Sequence, residues 1–183
     1  MGDTMEKGKG REMVKVMKGG AKEVHGIRPE WRIEKRKVGA DKPYEVLEFK
    51  GNVFTNSGIN RIWDVLCGAS ETPFDDANAE IGVGDDDTAE SSTQTKLQAE
   101  ETTVTDFEYV GMDTGYPTHG TDQKVVFRAT FGSTQANFTW EEITARNGGG
   151  AEGSPINLNR LAQSMGTKTS GTEWIAELTL KIE

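Results

Sequence analysis

Hydrophobic positions recur with a period of two over most of the chain and with a helical period over one short stretch. Trp31-Arg32-Ile33-Glu34-Lys35 alternates, and Gly39 to Pro43 has the residues of a turn. Tyr44 to Phe49 then alternates again, so residues 28–50 predict a hairpin with one solvated face. Ile59, Ile62, Trp63 and Leu66 are spaced for one face of a helix over about 57–67. Asn56 or Ser57 is expected to cap its start and Gly68 to stop it. That stripe, with Cys67 as a small buried hydrophobe, is expected to face the core.

Beyond Asn78 the pattern is β. Glu80 to Gly84 predicts a strand closed by a turn at Asp85-Asp86-Asp87. Residues 88–101 predict a polar loop with one helical turn near Leu97, and 104–110 alternate. Residues 111–122 read as a connection. Two apolar-alternating runs, 124–131 and 136–145, flank Gly132-Ser133-Thr134-Gln135 and predict a hairpin. A glycine-rich loop over 147–155, a strand over 156–161 and a last strand over 174–182 follow. In that last strand Trp174, Ala176, Leu178, Leu180 and Ile182 share a face. The prediction is a mainly β fold: an antiparallel β-sandwich over 28–183 with one short helix. Residues 28–50 are read as a hairpin extension and 52–183 as its core.

At the N-terminus the composition departs from this alternation. Apolar residues make up 34% of the 183, a low share for a compact globule, and glycines number 22. Residues 1–27 are rich in glycine and lysine and predict an extended basic arm. Met13, Val14, Val16 and Met17 form one face of a helix too short to stand alone. Such an arm either takes shape on a partner or is a plain tail. The formal charge of −9 divides unevenly: residues 1–42 balance to +5 and residues 43–183 to −14. That asymmetry favours head-to-tail contact between copies or contact with acidic neighbours, while an acidic body disfavours nucleic acid.

Little in the sequence points to catalysis or cofactors. One cysteine permits no intrachain disulfide and no multi-cysteine zinc site. His25 falls in the arm and His119 in a loop, with no relay partner in sight. Gly82-Val83-Gly84 is a fragment of a phosphate loop without its lysine or helix. Asp85 to Asp87 lacks the later glycine and glutamate of an EF-hand, so a solvated turn is expected rather than a calcium site. Glu141 and Glu142 alternate faces of a strand and cannot work as a carboxylate pair. No cofactor, no metal and no enzymatic activity are expected. There is no apolar run of spanning length, so no membrane association is expected either.

A set of phrases in fixed order resembles structural proteins of tailed bacteriophages. They are NSGINRIW at 56–63, AEIGVGD at 79–85, TQTKL at 93–97, VFRATF at 126–131, ANFTWEE at 136–142, LNR at 158–160 and GTKTSGTEW at 166–174. Their order is similar to the N-terminal attachment domain of phage tail-collar fibres over about residues 52–183. That domain has a T-x-x-G helix start, an x-I-x-V-G-D/G strand and an aromatic-Glu strand. Fibres continue into a repetitive shaft, which is not expected after Glu183, and the basic segment 1–50 has no counterpart in the pattern.

The resemblance implies a non-enzymatic virion structural or adaptor protein, assembled in the host cytoplasm. It would dock onto other virion proteins and copies of itself, as a homo-oligomer, in tail or fibre attachment or in head decoration. Arg28, Trp31, Arg32, Lys35, Arg36 and Lys37 are the expected partner contacts, since arginine pairs bidentately with carboxylates and tryptophan supplies buried area. The other reading of those residues is a solvated strand. The alternative function is a receptor- or glycan-binding module using Tyr109, Tyr116 and Trp140 as stacking surfaces.

Overall fold

The structure, a computed structural model, describes residues 26–69, 71–102, 106–148 and 155–182. The expected arm, apart from Gly26 and Ile27, and most of the glycine-rich loop lie outside the described residues. Two antiparallel sheets pack face to face, as the alternating pattern predicts.

The first sheet runs in the order β2 (Glu45–Lys50), β1 (Ile27–Lys37), β11 (Thr172–Ile182), β7 (Lys124–Phe131), β6 (Thr118–Thr121). The second runs β3 (Val53–Phe54), β10 (Asn159–Thr167), β8 (Thr139–Asn147), β4 (Ala79–Gly84), β5 (Phe107–Gly111), with the short β9 (Ile156–Asn157) also on β8. Helix α1 (Asn56–Leu66) and the single turn α2 (Gln98–Glu101) interrupt the strands.

Residues 28–50 form the predicted hairpin, but it is no extension. β1 pairs with β11 along its whole length, from Ile27 opposite Ile182 to Lys37 opposite Thr172, and so lies inside the first sheet. Its inward residues Trp31 and Ile33 belong to the core. The cause is chemical: an alternating strand with a tryptophan and an isoleucine on one face gains most by covering the other sheet.

The predicted hairpin over 124–145 does not form. Both strands exist, yet β7 joins the first sheet and β8 the second. The turn at 132–135 is present, with Gln135 N donating to Gly132 O at 3.2 Å. Ala136, at φ +48°, then swings the chain across the sandwich. Buried Lys168 holds this corner, its Nζ donating to Gly132 O at 2.6 Å, Gln135 O at 2.8 Å and Asn137 Oδ1 at 3.1 Å. Phe131 and Trp140 end up facing each other across the layers, ring centroids 4.7 Å apart, and Trp140 meets Trp174 at the same separation. Ile81, Val83, Ile143, Ala145, Ala129, Ala176 and Leu178 fill the space around them.

Candidate functional site

The six residues expected to meet a partner have three different fates. Trp31 is 1% exposed, in the core, and Lys35 is buried, its Nζ 2.8 Å from Glu45 and 4.5 Å from the Trp174 ring centroid. Neither is available to another subunit, which corrects the expectation for both. Arg32 and Arg36 lie on the outer face of the first sheet and both pair with Glu34. Arg32 also stands opposite Glu48 on β2 and Glu177 on β11, and Glu177 stands opposite Arg128 on β7. A row of alternating charge therefore crosses four strands, and the basic patch is largely neutralised from within. Arg28 and Lys37, near the two ends of β1, remain at the surface.

The acids and aromatics singled out by the sequence are likewise absorbed. Glu142 and Arg160 are fully buried and paired, Nε to Oε2, at 2.5 Å. Glu142 also accepts from the first N–H groups of α2, Gln98 N at 3.0 Å and Ala99 N at 2.8 Å. Arg160 reaches on to Thr88 O at 2.7 Å and Gln94 Oε1 at 3.2 Å. Burial pushes the Glu142 carboxyl upward, against the pull of those N–H donors and the guanidinium. The pair pins loop 88–101 to the second sheet.

The glycines of the phosphate-loop fragment have a packing role. Tyr109 of β5, opposite Gly82, lays its ring where a Cβ would stand. A Cβ on Gly84 would come within 2.5 Å of Glu142 Oε1. Tyr109 is covered in turn by the Arg146 guanidinium and donates to Glu100 at 2.8 Å, while Trp140 is fully buried. Two of the three proposed sugar-stacking rings are thus engaged internally. Asp86 accepts from Thr88 N at 2.8 Å, as a carboxylate does in a turn, and Asp85 accepts from Asp106 N at 3.0 Å, tying the turn to the residue before β5. Among the described residues no three His, Cys, Asp or Glu converge as a metal site, and no helix is long and apolar enough to cross a membrane.

Helix α1 is where the structure departs furthest from expectation. Thr55, not Asn56 or Ser57, caps it: its Oγ1 accepts from Gly58 N at 2.9 Å and donates to Asn157 O. Gly58 is the one buried residue of α1, lying so close to the chain at 157–158 that a Cβ would be 2.5 Å from Leu158 O. The helix is thus riveted at its first turn. From there Ile62 alone of the apolar stripe packs partly against the core, as expected, while Trp63 is 57% exposed, Leu66 71%, and Ile59 and Val65 are exposed as well. Cys67 is also exposed, contrary to the expected burial.

Beside this stripe runs an open groove of about 890 Å³. Its floor and walls include Ile62, Leu66, Phe74, Pro117, Phe127 and Ile182, and Asp75 and Asp76 stand at one lip. A smaller hollow of about 310 Å³ on the other flank of α1 is lined by Ile27, Phe54, Ile59, Ile62 and Trp63. Solvent-facing apolar side chains in such a run add nothing to folding and favour association. The helical period alone could not reveal this, because a stripe covered by its own domain and one awaiting a partner read alike. Compared with protein-family models, with curated proteins and with solved structures, the chain has no significant match to any of them.

Proposed function

We propose that this protein is a non-enzymatic structural or adaptor component of a tailed-phage virion. It docks onto neighbouring virion subunits through the apolar face of α1 and the groove beside it. The observation that carries the docking role is the exposed stripe Ile59, Trp63 and Leu66, on a helix that meets the core only at buried Gly58 and partly buried Ile62. The phage setting is supported by the ordered phrases between Asn56 and Trp174. The outer face of the first sheet, with its charges already paired, is a weaker docking candidate.

The test is incorporation. Purified particles are to be assayed for this chain by quantitative mass spectrometry, with wild-type or Leu66→Asp protein supplied during assembly. The reading requires the wild type to be present at a fixed copy number and the variant to be excluded. Hundreds of copies would place it on the head, and six to a few dozen on the tail or neck. A chain missing from particles, or a variant incorporated at full occupancy, would overturn it.

A further inference from the structure

The edge of a sheet is where the backbone groups of one chain can be completed by another. In the described residues the first sheet ends on β2 and β6, and the second on β3 and β5. Three of these edges resist a further strand. β3 has two residues, and β6 carries a register shift between His119 and Thr121 with Gly120 at φ +92°. On β2, Gly51 N donates to Pro29 O at 3.0 Å, which sets the ladder so that Val46, Glu48 and Lys50 turn their backbone groups outward. The charges of Glu48 and Lys50 disfavour another strand there, and a symmetric pairing centred on that edge would set Glu48 against itself.

β5 has no such guard. Asp85 N donates to Asp106 O at 3.1 Å, so Glu108 and Val110 complete the ladder with β4. Phe107, Tyr109 and Gly111 therefore present their N–H and C=O groups away from it. Among the described residues those groups take no other hydrogen bond. The strand holds no lysine, arginine, proline or register shift. Phe107 is 43% exposed at one end, and at the other a Cβ on Gly111 would meet nothing within 4 Å.

The run from Phe107 to Gly111 also fits a copy of itself. Side chains opposite each other across a ladder share a face, so a symmetric antiparallel pairing has to centre on one residue. Centred on Tyr109, it sets Phe107 opposite Gly111 of the second copy, Tyr109 opposite Tyr109, and Gly111 opposite Phe107. Every outward backbone group of β5 is then exchanged in a facing pair. Each phenyl ring lies over a glycine, where an aromatic makes up for the side chain that a strand glycine lacks. On the other face Glu108 meets Val110. Centring on Glu108 would oppose two carboxylates, and centring on Val110 would carry Phe107 past the end of the second strand.

We propose that β5 pairs antiparallel with β5 of a second copy, about a two-fold axis at Tyr109, so that the second sheet runs on through both molecules. The covered surface is small beside the roughly 800 Å² per partner of a long-lived contact, so the dimer is weak and concentration-dependent. It uses a surface other than α1 and does not depend on the docking role proposed above.

Sedimentation velocity of the full-length protein, from about 10 µM to about 1 mM, should show monomer giving way to dimer. Gly111→Pro removes one outward N–H, takes no bond from β4, and should raise the dissociation constant at least about tenfold. Phe107→Lys alters an exposed side chain and no backbone group, and should do the same. Val46→Pro, the matching change on the β2 edge, and Leu66→Asp, on α1, should leave the dimer as it is. Amide hydrogen exchange read residue by residue gives a separate signature. Raising the concentration should slow Phe107, Tyr109 and Gly111, while Glu108 and Val110, already bonded to β4, stay as they were. A protein still monomeric at about 1 mM, a dimer untouched by both β5 variants, or one lost in Leu66→Asp would overturn the pairing. So would slowed exchange without that alternation.

Discussion

Replacing Glu142 by leucine should do more damage than any other single change in the second sheet. The substitution leaves Arg160 charged and fully buried, and takes the acceptor from the N–H groups of Gln98 and Ala99. Breaking a buried pair from one side costs about 3–5 kcal/mol, mostly the penalty of the abandoned charge. The two orphaned N–H groups would add about 1–3 kcal/mol each in a rigid site. These costs do not sum, because loop 88–101 can lift off and let water reach all three groups together, so lifting sets a ceiling. About 3–5 kcal/mol is expected, with a fall in Tm of roughly 10 °C for a domain of this size. Urea unfolding followed by fluorescence of buried Trp140 and Trp174 measures it. Removing both charges, in Glu142→Leu/Arg160→Met, should recover at least about 1.5 kcal/mol relative to the sum of the single losses. A single-mutant loss under about 1 kcal/mol, or strict additivity in the double mutant, would refute the idea that this pair anchors the loop.

Three further outcomes follow from the geometry. Gly58→Ala drives a Cβ against the Leu158 backbone and should cost about 1–3 kcal/mol in urea unfolding, with α1 displaced; wild-type stability would refute the rivet. Leu66→Asp should leave stability within about 0.5 kcal/mol of wild type while lowering binding of a hydrophobic dye, because the side chain is mostly in solvent. Glu34 titrates below its ordinary value: burial raises it, but the hydrogen bonds and charges of Arg36 and Arg32 outweigh that. A carboxyl depressed in the folded state contributes stability above the unfolded pKa and loses it as pH falls through the folded value. The stability gap between wild type and Glu34→Gln should therefore be full at neutral pH and close below about pH 4, in contrast to a gap constant with pH.

Elements long enough to show a period were legible in the sequence. β1, β2, β4, β7, β8 and β11 follow from alternation, and α2 from the turn expected near Leu97. β3, with two residues, and β6, Thr118–Thr121, with no apolar position at all, carry no periodic signal. Pairing was less legible than existence. Gly132 to Gln135 resembles a hairpin turn, and only the fold brings up Lys168, which ties that turn into a corner between sheets. The site followed the same rule. Trp31 has the residue type of an interface anchor, but its alternation with Ile33 also suits a core strand, and the core prevailed. Trp63 has the spacing of a core residue and lies in solvent. Period tells which residues share a face, and it is silent on whether the same chain covers that face.

The ordered phrases between Asn56 and Trp174 meet in space. Thr55 and Gly58 fasten α1 to the chain at 157–158, next to Arg160. Gly84, Gln94 and Gln98 close around that arginine and its partner Glu142, and Phe131, Trp140 and Trp174 meet edge to face in the layer between the sheets. Each phrase meets a demand of the interior: a close approach, a buried charge that needs its counter-charge, or an aromatic that needs a neighbour. Any chain obliged to build this knot would carry similar residues in similar order, whatever it binds, since fold and function are separable. A docking role would rest on residues the interior does not require. Trp63 and Leu66 are such residues, for a helix already fixed at Gly58 gains no stability by holding a tryptophan and a leucine in water.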